Sequence, residues 1–211
     1  MPLSAELVQV MDKYLTGEPQ PLKSMENGGW EYDGYRAYGY DEWFTTLVQK
    51  LCQFTSVDSA LDAGCGCGLY VAMLREKGIA VAGFDANPHT EELSGRLLGA
   101  DQEPCIQADI LDDDLEVESP FGLVYCKDVL SYLPKKHIHQ ALRNLAKFSG
   151  KYILLNWQEK EVDSVLPCAC YNEQDIDQIM DAVGFTPDPL LNRQIKAFHN
   201  ECQSYKLFVR L

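Results

Sequence analysis

The chain is short of everything that would tie it to a membrane. Its 211 residues hold no apolar run near the ~20 needed to cross a bilayer. Met1 to Val10 lack the basic start and long apolar stretch of a secretory leader. Positive charge is scarce as well: 18 Lys and Arg stand against 32 Asp and Glu, a formal net charge of −14. A polyanion gains nothing from counterion release on a phosphate backbone and is repelled by it, so nucleic acid is a poor partner. Internal repeats and low-complexity tracts are missing. These absences predict a cytoplasmic globular protein with no membrane partner, and 46% hydrophobic residues suffice for a core.

Histidine is sparse, with four residues in all. His137 and His139 fall in a predicted surface helix and His199 at the predicted final hairpin, and none has the partner pattern of a catalytic base. Cysteine is plentiful at eight, but the chain is neither short nor loop-rich enough to need a disulfide framework. Two Cys-x-Cys pairs, Cys65/Cys67 and Cys168/Cys170, offer four thiolates. Their spacing is one residue short of the usual zinc knuckle, so small apolar fillers are expected and no metal.

Leu3, Leu7, Val10, Met11, Tyr14 and Leu15 recur at helical spacing, and a Gly- and Pro-containing loop follows over residues 16–30. Asp41 is placed to cap a second helix whose Trp43, Phe44, Leu47, Val48 and Leu51 share a face. From Val57 short apolar strands alternate with helices. Strands are predicted at Ser59–Ala63, Ile79–Phe84, Pro104–Gln107, Phe121–Cys126 and Gly150–Asn156. Helices are predicted at Leu69–Lys77, from the Asn87-Pro88 cap, over Pro134–Phe148, and from an Asn172 cap to Val183-Gly184. The tail reads as two strands, 189–199 and 203–210, joined at Asn200-Glu201. Alternation of this kind predicts an α/β fold: a doubly wound, mostly parallel seven-stranded sheet with helices on both faces and an antiparallel terminal hairpin strand. Ligands of such sheets sit beyond the C-terminal strand ends.

At the first of those ends stands Asp62-Ala63-Gly64-Cys65-Gly66-Cys67-Gly68. Alternate glycines let the backbone turn sharply and approach a ligand without Cβ interference. A following helix N-terminus offers N–H groups to an anion. The pattern is not the dinucleotide fingerprint, because Leu69 stands where its third glycine belongs. That disfavours a nicotinamide dehydrogenase. Asp85 follows the second strand about twenty residues on, where an acid can accept both hydroxyls of a ribose; a helix-capping aspartate would look similar. Asp109 ends the third strand, although Asp112, Asp113 and Asp114 show that an acidic solvated loop fits there too.

With its leading acid, glycine loop and terminal hairpin, the chain resembles the class I S-adenosylmethionine-dependent methyltransferases of small-molecule type. The resemblance implies that Asp62 orients the amino group of S-adenosylmethionine and that Gly64, Gly66 and Gly68 line its methionyl part. It places Asp109 at the adenine, agrees with Asp85 at the ribose, and adds Ala86 and Ile110 to the cofactor-binding residues. Residues 125–134 (Tyr-Cys-Lys-Asp-Val-Leu-Ser-Tyr-Leu-Pro) resemble the family's segment after strand 4. Lys127 joins the candidate cofactor-binding set, and Asp128 and Tyr132 are the candidate catalytic residues. Here Ser131 and Tyr132 replace the family's frequent glutamate and histidine, which removes the usual histidine base. The aromatic N-terminal stretch is expected to form a helical lid, with Tyr35, Arg36 and Tyr40 over the site; an interface patch competes with that reading. Asn156 and Trp157 are expected to wall the substrate. Residues 1–56 would thus be a helical, aromatic cap and residues 57–211 the methyltransferase domain, together one compact body.

The implied reaction is methyl transfer to a small-molecule acceptor through nitrogen, oxygen or carbon. Two alternatives stay open on the same fold: another use of the cofactor (aminopropyl-type transfer or its cyclisation), or a non-catalytic member that binds cofactor or partner protein.

Overall fold

The computed structural model describes residues 42–116, 120–161, 168–196 and 203–211. Among them, seven strands form one sheet in the order β3-β2-β1-β4-β5-β7-β6. The strands are β1 Ser59–Ala63, β2 Ala80–Asp85, β3 Ile106–Gln107, β4 Phe121–Cys126, β5 Ser149–Gln158, β6 Phe185–Pro187 and β7 Gln203–Arg210. The described α-helices are α1 Glu42–Thr55, α2 Leu69–Glu76, α3 Thr90–Leu98, α4 Ile138–Phe148, α5 Glu173–Ala182 and α6 Pro189–Ile195. None is long and apolar enough to cross a membrane. The expected α/β architecture is present, and β7 is the antiparallel strand. The chain divides into two compact units at Asp109/Ile110.

In the first unit, β1 pairs parallel with β2, and β2 with β3. Ala60 to Ala63 of β1 are all buried, as a strand covered on both faces must be. Phe44, Leu47, Val48 and Leu51 form the inner face of α1, each burial contributing about 1.5–3 kcal/mol. Phe44 meets Tyr70 of α2 edge-on, with ring centroids 5.2 Å apart. The helix expected to open at Asn87-Pro88 starts two residues later, with His89 as its N-cap. Asn87 instead uses its side chain in a turn, its Oδ1 accepting the His89 N–H at 2.9 Å. Asx-turn chemistry outcompeted the cap-plus-proline signal.

In the second unit, β4 and β5 pair parallel, and β7 pairs antiparallel with both β5 and β6. The helix expected over Pro134–Phe148 is two pieces: a 3₁₀ turn at Lys135–His137, then α4. Asn172 caps α5 as expected, accepting the Asp175 N–H at 2.7 Å. The tail differs. Residues 189–195 are helix α6, not a strand. The Asp188 side chain accepts the Leu190 and Leu191 N–H groups at 3.0 and 2.9 Å, with Pro189 in the first turn. An Asp-Pro helix start was present there and apolar alternation masked it. The strand beside β7 is β6, contributed by Phe185–Pro187.

Candidate functional site

The glycine loop is built by the first unit. Gly64, Gly66 and Gly68 have φ of 89°, 58° and 80°, left-handed values that side chains resist. Much of the turn's backbone is paired. Gly64 and Cys65 N–H groups both donate to the Phe84 carbonyl, at 2.8 and 2.9 Å, and Gly68 N–H donates to the Cys65 carbonyl at 2.9 Å. Thr90, fully buried, donates its hydroxyl to the Gly66 carbonyl at 3.1 Å. Gly68 also lacks a Cβ for a reason internal to the protein: one would lie 2.9 Å from Ser94 Cβ and 3.0 Å from Cys105 Sγ.

Asp85 holds this loop in place. Its Oδ2 accepts the Gly66 N–H and its Oδ1 accepts the Asn87 N–H, each at 2.8 Å. Burial pushes the acid above the usual carboxylate range; the two N–H donors pull it back in part, and the Asp109 charge pushes it up again. Each oxygen keeps a second lone-pair direction for a ligand hydroxyl. Ala86, the next residue, and Asp109 are half-buried, and the Ala108 N–H is bound to the Asp85 carbonyl at 2.9 Å. Asp62 is 2% exposed on β1.

The loop cysteines are packing residues. Burial pushes Cys67 up to about 12 and Cys65 well above the ordinary thiol value. A Cβ on Gly83 would fall 3.0 Å from both Cys65 Cβ and Cys105 Sγ, so the thiols fill the space that glycine leaves. Among the described residues, no group of three or more His, Cys, Asp or Glu is gathered as a metal site.

The second unit presents its own constellation where β4 and β5 end. Lys127 is buried, and its ammonium pairs with Asp128 Oδ2. Asp128 has φ of 56°, one of two non-glycine residues with positive φ among those described. Asn156, also buried, accepts the Asp128 N–H at 2.6 Å and donates to its Oδ1 at 2.8 Å. Ser131 is buried and acts as a latch: its hydroxyl oxygen accepts the Gln158 N–H at 2.9 Å, and its carbonyl accepts the Ala169 N–H at 2.6 Å. Tyr132 is half-buried in the 3₁₀ turn Leu130–Tyr132. Trp157 is 1% exposed, with no hydrogen-bond partner for its indole N–H among the described residues. Ile110 is buried, its carbonyl taking the Asn144 amide at 2.9 Å.

A sequence profile described as a methyltransferase domain matches residues 61–149. Those residues are similar to a methyltransferase domain. The matched residues run from β1 to the start of β5, covering the glycine loop, Asp85, Asp109 and the Lys127–Tyr132 segment. No curated protein matches the chain by sequence. Solved structures share the fold. One is magnesium protoporphyrin IX methyltransferase from Synechocystis with bound S-adenosylmethionine, at 16% identity and a TM-score of 0.59, covering 100% of both chains. A second is a sugar N-methyltransferase from Streptoalloteichus, at 18% identity and a TM-score of 0.64, covering 83% of this chain and 90% of that one. A third is 1,6-didemethyltoxoflavin-N1-methyltransferase from Burkholderia thailandensis with its substrate and S-adenosylhomocysteine bound, at 14% identity and a TM-score of 0.62, covering 100% and 92%. The fold is that of the S-adenosylmethionine-dependent methyltransferases.

Of the site residues expected from sequence, Asp62, Gly64, Gly66, Gly68, Asp85, Ala86 and Asp109 fall in the first unit, and Ile110, Lys127, Asp128, Tyr132, Asn156 and Trp157 in the second. Tyr35, Arg36 and Tyr40 lie outside the described residues. Sequence reasoning missed Thr90, Ser94 and the latch role of Ser131. A threonine or serine at a helix start or turn carries no mark of the distant backbone group it will bind.

Proposed function

We propose that this chain transfers a methyl group from S-adenosylmethionine to a small-molecule acceptor in the cytoplasm. The observation that carries the proposal is Asp85: a carboxylate tied by backbone N–H groups to the glycine loop, with lone pairs left to spare. Burial leaves that charge under-compensated. Two ribose hydroxyls are the donors that would restore the balance, each charge-assisted bond worth roughly 1.5–3 kcal/mol. The left-handed glycines leave the loop surface bare for a methionyl chain, with Asp62 assigned to its amino group. Asp109 and Ile110 are assigned to the adenine, and Ala86 and Lys127 complete the set. Bound S-adenosylmethionine supplies an electrophilic methyl group on a sulfonium.

The residues of the protein then have to align an acceptor and exclude water. Alignment alone supplies much of the rate of an in-line displacement. Asp128 and Tyr132 are assigned to the acceptor, Asp128 as a fixed charge or proton acceptor and Tyr132 as a polar wall. Asn156 and Trp157 are assigned to the same wall, and the residues expected in the cap, Tyr35, Arg36 and Tyr40, lie outside the described residues. A net charge of −14 argues against nucleic acid as the acceptor. The three similar enzymes act, by their names, on a porphyrin, a sugar and a toxoflavin precursor, which supports a small acceptor.

Calorimetric titration with S-adenosylhomocysteine tests the cofactor, and product analysis with a panel of small acceptors tests the reaction. Formation of S-adenosylhomocysteine is expected. Release of methylthioadenosine instead would replace methyl transfer with attack on the aminocarboxypropyl side.

A further inference from the structure

Asn156 lies within the buried run of β5 at 2% exposure, and one residue takes up both ends of its amide. Its Oδ1 accepts the Asp128 N–H, and its Nδ2 donates to Asp128 Oδ1. These bonds close a ring that includes the Asp128 Cα–Cβ bond, so the carboxylate cannot turn without breaking one of them. The ring also holds Asp128 at φ 56°, a left-handed conformation that most side chains resist and aspartate resists less. Lys127 takes the other carboxylate oxygen, Oδ2. Lysine supplies only donors on a flexible stem, so it offsets charge without setting an orientation. Asparagine at this length offers an acceptor and a donor on one planar head. Leucine there would take away the acceptor of the Asp128 N–H, and aspartate would set carboxylate against carboxylate.

We propose that Asn156 is the positioning residue for Asp128, locking its main chain and carboxylate together so that the acid meets the methyl acceptor in one orientation. This rests on the assignment of Asp128 to the acceptor.

The test uses the full chain labelled with ¹⁵N and ¹³C. In Asn156→Ala, exchange of the Asp128 amide hydrogen is expected to quicken by roughly tenfold or more, as loss of a buried hydrogen bond allows. The Asp128 carboxyl ¹³C resonance, identified by its disappearance in Asp128→Asn, is expected to move at neutral pH. Amides of Leu123 to Cys126 on β4 should keep their protection, which shows that the sheet still stands. The double exchange Asp128→Asn with Asn156→Asp keeps an acceptor for the residue 128 N–H and a donor between the side chains, and it is expected to recover the lost protection. With the acceptor found by product analysis, Asn156→Ala should lower kcat about tenfold while KM for S-adenosylmethionine moves less. An unchanged Asp128 amide and carboxyl resonance in Asn156→Ala overturns the proposal. So does a double exchange that stays unprotected over an intact β4. The parallel titration with S-adenosylhomocysteine keeps the two readings apart: failure to bind it sinks the methyltransferase assignment, whereas the amide and carboxyl measurements need no cofactor.

Discussion

The two units make their sites by opposite means. In the first, the backbone does the shaping: three left-handed glycines, carbonyls and N–H groups paired among neighbours, and one carboxylate pinning the turn. In the second, side chains do it: an asparagine grips an aspartate 28 residues away, a lysine closes on the same acid, and a serine latches two segments. On the proposed assignment of the residues, the contrast separates two jobs. A cofactor common to many enzymes can be met by a backbone cradle, whereas an acceptor peculiar to one enzyme has to be met by replaceable side chains.

The two Cys-x-Cys pairs give the widest expected difference between the units. Cys67 is held up to about 12, so at pH 8 its thiolate is about a thousandfold scarcer than at an ordinary cysteine. Cys168 and Cys170 are only half-buried. Alkylation of the folded protein at pH 8, read peptide by peptide by mass spectrometry, should mark Cys168 and Cys170 and leave Cys65 and Cys67 bare. Prompt labelling of Cys67 would show that the loop opens in solution. The same shift has a sign for stability. Between pH 9 and about 12 the folded thiol keeps a proton that the unfolded one gives up, so stability should fall as pH rises through that window.

Next in size is the cradle itself. In Gly83→Ala the new Cβ meets Val71 Cγ2 at 2.9 Å, and overpacking should cost about 1–3 kcal/mol in urea denaturation. Gly78→Ala, at a φ of 80° that Gly83 does not share and with nothing within 4 Å, should lose only the conformational part, about 1 kcal/mol. Equal losses would mean that the close approach of helix and strand is dispensable. Asp85→Ala should weaken S-adenosylhomocysteine binding about tenfold or more, near 1.4 kcal/mol, by calorimetry. The smallest effect belongs to the second unit: Ser131→Ala strips the Gln158 N–H of its acceptor and should cost about 1 kcal/mol of stability. A loss as large as that of Gly83→Ala would erase the contrast between the units.

Legibility followed the same division. The span of β1, the turn after it and the acid at the end of β2 could all be read, because each rests on neighbours in sequence. Ser59–Ala63 and Phe121–Cys126 were placed to the residue. Errors fell where two local signals competed. Asn87 turned instead of capping a helix, and the Asp188-Pro189 start lay under an apolar alternation that imitated a strand.

By itself the sequence determined the alternation of strands and helices, the positive-φ turn at Gly64–Gly68 and the acid that follows β2. Those are consequences of backbone sterics and hydrophobic period, which act over a few residues. Only the tertiary structure decided that Asp85 closes on Gly66, that Thr90 braces the loop, that Ser94 accepts the Cys105 N–H, and that Asn156 grips Asp128. Such bonds join residues 11 to 28 positions apart. No local propensity encodes them, since a polar side chain carries no record of its partner until the sheet brings the two together.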